Sequence, residues 1–160
     1  MFDKYDEAWA KYQKKIRILP LPLISWDIFN TSNLEASNFN SLQKKWVNKE
    51  DYHNQIANKS VVITDKNLTI LFASKQISEL TGYHKSEIIG NSPKMFQGVL
   101  TSETTKNNIR EAISKKHPFK EVLLNYRKDG STYWCEIEAY PKFDKKNNLV
   151  HFIAFERIAS

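Results

Sequence analysis

Asn125-Tyr126-Arg127-Lys128-Asp129-Gly130-Ser131-Thr132-Tyr133-Trp134 is the stretch whose reading decides the fold. Its centre, Lys128-Asp129-Gly130, has the composition of a tight turn, because glycine accepts the positive φ that hairpin turns need and aspartate bonds to its own backbone. The segments on either side are rich in strand-forming residues. Phe119–Arg127 leads into the turn and Thr132–Pro141 leads out of it. A second polar turn, Asp144 to Asn148, separates this pair from a last strand, Leu149–Ile158. Three strands joined by short turns predict an antiparallel meander.

Further upstream, Val61–Thr64, the turn Asp65-Lys66-Asn67 and Thr69–Ala73 read as another hairpin. Between the two strand groups the pattern is helical. Ser74 is placed to cap a short helix that Gly82 ends, and a one-turn helix at Lys85–Ile89 is closed by Gly90. Thr101 or Ser102 opens a longer helix to about Lys116, with Ile109, Ala112 and Ile113 as its apolar stripe, before Pro118. The order predicts an α+β fold, with a five-stranded antiparallel sheet and the helices on one face. Residues 1–58 read as a separate N-terminal helical cap. Within it, Asp3 to Ile16 and Ser41 to Ala57 are expected to be helical, and the Asn- and Ser-rich stretch Asn30 to Asn40 a loop.

Strand alternation sorts the side chains. Tyr133, Cys135, Ile137 and Ala139 share one face of the middle strand, and Trp134, Glu136, Glu138 and Tyr140 the other. In the last strand, Phe152, Ala154, Glu156 and Ile158 oppose His151, Ile153 and Phe155. The face away from the helices therefore also carries Trp134, Tyr140, Ile153 and Phe155, a patch that needs cover. Trp9, Tyr12, Ile16, Trp26, Phe29 and Trp46 are available in the N-terminal segment to cover it, and a homodimer is the other way to bury it.

The chain has 160 residues and a net charge of +6 at pH 7. Its lysines are spread rather than gathered with aromatics, which favours solubility over nucleic-acid binding. The single cysteine, Cys135, excludes an intramolecular disulfide and suits a reducing compartment. The N-terminus lacks an apolar signal core, and Arg17, Pro20, Pro22 and Asp27 break the longest apolar stretch. A cytoplasmic domain with no membrane span is expected. No nucleophile–base pair, metal-ligand spacing or phosphate loop stands out, so the chain is not expected to be an enzyme.

Several segments, in order, resemble PAS domains of the LOV (light, oxygen, voltage) branch: Val61-Val62-Ile63-Thr64-Asp65, Phe72-Ala73-Ser74, Leu80-Thr81-Gly82-Tyr83, Asn125 to Gly130 with Tyr133-Trp134, and Phe152-Ile153-Ala154-Phe155-Glu156. The likeness covers roughly residues 59–158 and makes 59–160 the PAS domain. The stretch Gly90-Asn91-Ser92-Pro93-Lys94-Met95-Phe96-Gln97-Gly98 is similar to the LOV segment that carries the photoactive cysteine, and puts Pro93 at that cysteine's place. The resemblance implies that Lys94 and Arg110 match basic positions near a flavin phosphate, Gln97 a ribityl contact and Asn125 one ring-binding asparagine. Cys135 stands for a second asparagine, Glu156 for the glutamine that signals flavin state, and Ser92 for the asparagine before the cysteine. Plainer readings stand beside these. Lys94 and Arg110 also read as solvated helix residues, Asn125 as a tie between strands, and Cys135 as a small core residue. Glu156 also reads as a side chain that reaches solvent or pairs with Lys94 or Arg110.

The leading expectation is a non-catalytic sensory or protein-interaction domain of bacterial-type signal transduction, with a small-molecule ligand or a signalling protein partner. The sequence ends at Ser160, just after the last strand, and encodes no kinase, cyclase or DNA-binding segment, so the expectation is output through a partner or self-association, or else that the chain is a fragment. A cysteine-less FMN-binding sensor and a homodimerisation module are the alternatives. Haem, with His84 or His117 as the ligand, is a weaker one.

Overall fold

A computed structural model describes residues 35–48, 50, 52, 55, 56 and 59–160. The expected helix at Asp3–Ile16 and the aromatic residues Trp9 to Phe29 lie outside the described residues. Two compact units divide the chain, Met1–Ser37 and Asn38–Ser160. The second carries the sheet.

The meander forms as its turns require. Strand β3 (Phe119–Tyr126) pairs antiparallel with β4 (Thr132–Phe143), and β4 pairs with β5 (Leu149–Ile158). Gly130 adopts φ +85°, the left-handed conformation that only glycine enters without strain, so the turn closes as its sequence predicts. The first hairpin is β1 (Ser60–Asp65) with β2 (Ile70–Ala73). Asp65 Oδ1 accepts the backbone N–H groups of Asn67 and Thr69 and so holds this turn. The sheet closes when β1 pairs with β5, which gives the order β2-β1-β5-β4-β3.

Three helices lie between the strand groups. Helix α1 (residues 35–43) precedes the sheet; α2 (Lys75–Thr81) ends at Gly82, and α3 (Lys85–Ile88) and a 3-10 turn (Pro93–Phe96) follow it. Ser74 is the N-cap residue of α2 but makes no cap bond. Its hydroxyl instead accepts the N–H of Val61 at 2.9 Å, tying the helix to β1. Helix α4 (Glu103–Ser114) starts at Ser102, whose Oγ accepts the N–H of Thr105. Its expected stripe, Ile109, Ala112 and Ile113, is only half-buried. Two of these residues face a cavity rather than a closed core.

The N-terminal expectation is corrected in two places. Helix α1 spans 35–43, so it starts within the stretch expected to be a loop, Asn30 to Asn40; and the helix expected over Ser41 to Ala57 does not continue, since 44–48, 50 and 52 are turn, bend or irregular and only 55–56 are helical again among the described residues. Tertiary packing overrides the polar composition here. Phe39 is buried against Trp46, Tyr52 and Phe72, and Leu42 packs on the same cluster. That cluster also takes in Val61, Ile63, Ile153 and Phe155, so the outer face of β1 and β5 is covered. The expectation that Trp46 helps to cover this face therefore holds.

Candidate functional site

The two faces of the sheet are packed differently, and the difference locates the site. On the inner face a cavity of about 110 Å³ remains between the sheet, the 3-10 turn and α4. Its walls are mostly apolar, with Phe96, Ile109, Leu123, Ile137, Phe152 and Ala154 among them.

The strands and helices set the polar side chains around this cavity. Asn125 from β3 and Glu156 from β5 line the sheet wall, with Thr64 from β1. Pro93, Lys94 and Gln97 line it from the 3-10 turn, and Lys106 and Arg110 from α4. The loop that carries Gln97 is fastened to β3. Thr101 Oγ1 accepts the N–H of Gly98 at 3.0 Å and donates to the Leu124 carbonyl at 2.7 Å. The Leu100 N–H donates to the Tyr126 hydroxyl. Gly98 lies so close to the Tyr126 ring that a Cβ there would meet it at 2.5 Å, so the loop needs glycine for closeness rather than for φ.

Of the residues expected at a site, Lys94, Gln97, Arg110, Asn125 and Glu156 all line this one cavity, and so does Ser92. Cys135 does not. It sits fully buried behind Glu156, its Sγ at 3.7 Å from Glu156 Oε2. His84 and His117 are exposed and lie away from the cavity. Lys106 and Thr64 went unnoticed in the sequence. Lys106 stands one turn before Arg110, so the helical i, i+4 spacing was a usable signal.

The polar groups are unevenly satisfied. Asn125 Oδ1 and Thr64 Oγ1 are buried with no hydrogen-bond partner among the described residues. Such a vacancy costs on the order of 1–3 kcal/mol per group when nothing else meets it. Glu156 is 3% exposed and makes no ion pair with Lys94 or Arg110, which corrects the reading that placed it in solvent or in such a pair. Burial pushes its carboxyl up to about 7, and the Cys135 thiol offsets this only in part. Burial, with the Glu156 charge next, likewise pushes the Cys135 thiol well above its usual range, so it is not a thiolate at neutral pH. The basic residues of α4 have their own partners: Lys106 pairs with Glu103, and Arg110 Nη1 donates to Asn107 Oδ1 at 2.6 Å.

No helix among the described residues is long and apolar enough to cross a membrane, and they hold no cluster of metal-ligating side chains.

Known proteins share both the fold and much of the sequence. Protein TWIN LOV 1 of Arabidopsis thaliana is 40% identical over 88 residues, which is 54% of this chain and 22% of that protein. The blue-light photoreceptor of Listeria innocua is 34% identical over 100 residues, 61% of this chain and 39% of that one. The bacterioopsin transcriptional activator of Halobacterium salinarum is 30% identical over 93 residues, with 14% of its length matched. The chain thus spans well under half of these relatives. Among solved structures, the dark state of the blue-light photoreceptor Aureochrome1 LOV superposes with a TM-score of 0.64 at 33% identity, covering 71% of this chain and 88% of that one. The family model described as PAS domain matches residues 58–157. The chain belongs to the PAS domain family, and within it stands close to the LOV domains.

Proposed function

We propose that this PAS domain works as a non-catalytic sensory module, in which a small molecule in the inner cavity or a signalling partner repacks the sheet, and the outer-face layer around Trp46 carries the change onward. One observation carries this reading. The cavity is walled by apolar side chains yet holds Asn125 and Thr64 with buried polar atoms unmet by protein. Polar atoms that face an apolar cavity are where the polar atoms of a ligand would bond. A ligand that meets them is the economical explanation of why they are there.

A second reading is a sensor that binds flavin without a covalent bond. It draws on the identity with Protein TWIN LOV 1 and the blue-light photoreceptors. The donor set fits a flavin in part. Lys94 and Arg110 at the rim would hold an anionic tail, Gln97 the chain behind it, and Asn125 one polar edge of the ring. A bound flavin would supply light absorption and a redox change. The covalent chemistry does not fit. Pro93 lines the wall where the resemblance places the reactive cysteine, and Cys135 is buried behind Glu156 with its proton held. Glu156 also puts an acid where the resemblance implies an amide.

Native mass spectrometry of gently purified protein, together with its absorption spectrum, tests both readings. A co-purifying small molecule supports the sensory reading, and flavin bands with a flavin mass select the second. A colourless protein that carries no added mass and takes up neither flavin nor any small aromatic would overturn the ligand-sensing reading.

A further inference from the structure

Among the polar groups of the cavity, Glu156 constrains a ligand most. A carboxyl in an apolar wall is tolerated if it meets a cation, meets several donors or takes a proton. The groups around it decide which. From β4, Cys135 offers a weak thiol donor at 3.7 Å, and Tyr133 offers no positive charge. From β1, Ser60 is the residue paired with Glu156 across the sheet. Arg127 stacks over the Tyr133 ring at 4.5 Å and bonds the Leu80 carbonyl. Across the cavity, Lys106 pairs with Glu103, Arg110 bonds Asn107, and Lys94 on the 3-10 turn makes no ion pair with Glu156. No cation and no set of strong donors reaches the carboxyl from the described residues, so its burial favours the protonated form. A protonated carboxyl presents one donor and one acceptor side by side. The group that matches it is another adjacent pair, as in a lactam or a primary amide.

We propose that the inner cavity selects uncharged, largely apolar ligands with a lactam or amide edge, which pairs with the protonated carboxyl of Glu156 while Asn125 and Thr64 meet further polar atoms of the ligand. This rests on the reading of the cavity as a ligand site and names the ligand chemistry. Binding is then linked to a proton. Glu156, raised to about 7 by burial, holds its proton in acid and loses it above neutrality. Once ionised it can no longer donate, and an anion facing the ligand's carbonyl repels it. Affinity falls as pH rises.

Three probes test this by nuclear magnetic resonance titration of the full chain: carbostyril, a neutral bicyclic lactam; N-methylcarbostyril, which lacks the donor; and naphthalene, which lacks the edge. Carbostyril is expected to shift the amides around Thr64, Asn125 and Glu156, and to bind roughly tenfold more tightly at pH about 5.5 than at about 8.5. The other two probes are expected to bind more weakly and without pH dependence. Glu156→Gln keeps a donor and an acceptor but cannot titrate, so it is expected to bind carbostyril equally at both pH values. Glu156→Leu is expected to lose the preference for carbostyril over naphthalene. Carbostyril binding no better than naphthalene, or equally at both pH values in the parent chain, overturns the proposal while leaving the ligand-site reading standing. If none of the three probes moves a cavity amide at its highest soluble concentration, this proposal falls, while the ligand-site reading is decided by the mass and absorption measurements.

Discussion

On β5, His151 points outward and Glu156 points inward, and both are 3% exposed. The outward residue is matched. His151 Nδ1 accepts the indole N–H of Trp46 at 2.7 Å, within a layer where Phe39, Trp46 and Tyr52 pack edge to face. The inward residue has a thiol at 3.7 Å, and shares a cavity with two unpartnered polar atoms. One strand thus separates a face that is complete from a face that is not. Each face sets its titratable group by burial, but the two are pushed in opposite senses. His151 is lowered from 6.5 and Glu156 is raised from 4.5. The outer face prefers its group neutral by deprotonation, the inner face neutral by protonation.

The most direct way to break this contrast is to remove Trp46. Trp46→Ala deletes a fully buried indole and strands the His151 acceptor, so it is expected to cost about 3–5 kcal/mol in urea or guanidinium unfolding. Trp46→Phe keeps most of the ring volume and loses the N–H, and should cost on the order of 1–2 kcal/mol. A loss below about 1 kcal/mol for the alanine variant would mean that the outer layer is not part of the core.

The pH dependence of stability sharpens the contrast next. A raised carboxyl binds its proton more tightly in the fold than in the unfolded chain. Its contribution is fully present below 4.5 and is lost as pH rises through about 7. A shift from 4.5 to about 7 corresponds to roughly 3 kcal/mol. Glu156→Gln is therefore expected to be more stable than the parent by on the order of 2–3 kcal/mol near pH 8.5, and close to it near pH 4. His151 works the other way. Its lowered value makes its contribution present above 6.5 and lost as pH falls through the folded value. His151→Phe is expected to flatten the acid limb of the stability curve and leave the alkaline limb unchanged. Unfolding midpoints across the range from pH 4 to 9 check both signs, and a common sign for the two variants would refute the contrast.

The outer and inner faces also differed in how far they could be read from sequence. The meander was legible because Lys128-Asp129-Gly130 and Asp144 to Asn148 are turn chemistry that acts locally, and the faces of β4 and β5 followed from alternation alone. The gathering of Lys94, Gln97, Arg110, Asn125 and Glu156 around one cavity came through the resemblance, since no local rule brings residues 94 and 156 together. Burial of Glu156 was not legible. Whether a strand-end carboxyl meets solvent or an apolar pocket depends on the helices across the sheet. The N-terminal helix was misplaced for a related reason. It was expected to begin at Ser41 and run to Ala57, but it spans 35–43, because Phe39 and Leu42 find the sheet, and it stops before Trp46, whose burial in the same cluster does not need a helix. Lys106 was missed although its spacing from Arg110 was in plain view.

The smallest expected effect lies at the far end of the outer face, where the covering layer gives way to charge. Glu136 there bonds Arg157 and pairs with Lys120 at 3.1 Å, and beyond this network Trp134 is 57% exposed among the described residues, with Val122 nearby on β3. An indole left in water contributes little to the fold, so Trp134→Ser is expected to change stability by less than about 0.5 kcal/mol. That is well below the cost of losing Trp46 on the same face. Its effect belongs to association instead. Exposed tryptophan is the residue type that most often anchors an interface. If a second copy covers it, light scattering of the parent chain shows a mass that rises with concentration, and Trp134→Ser returns it to the monomer. A parent that stays monomeric at high concentration removes the homodimer as the cover for this end of the sheet. A Trp134→Ser variant that loses as much stability as Trp46→Ala would show that the two ends of the outer face are one core after all.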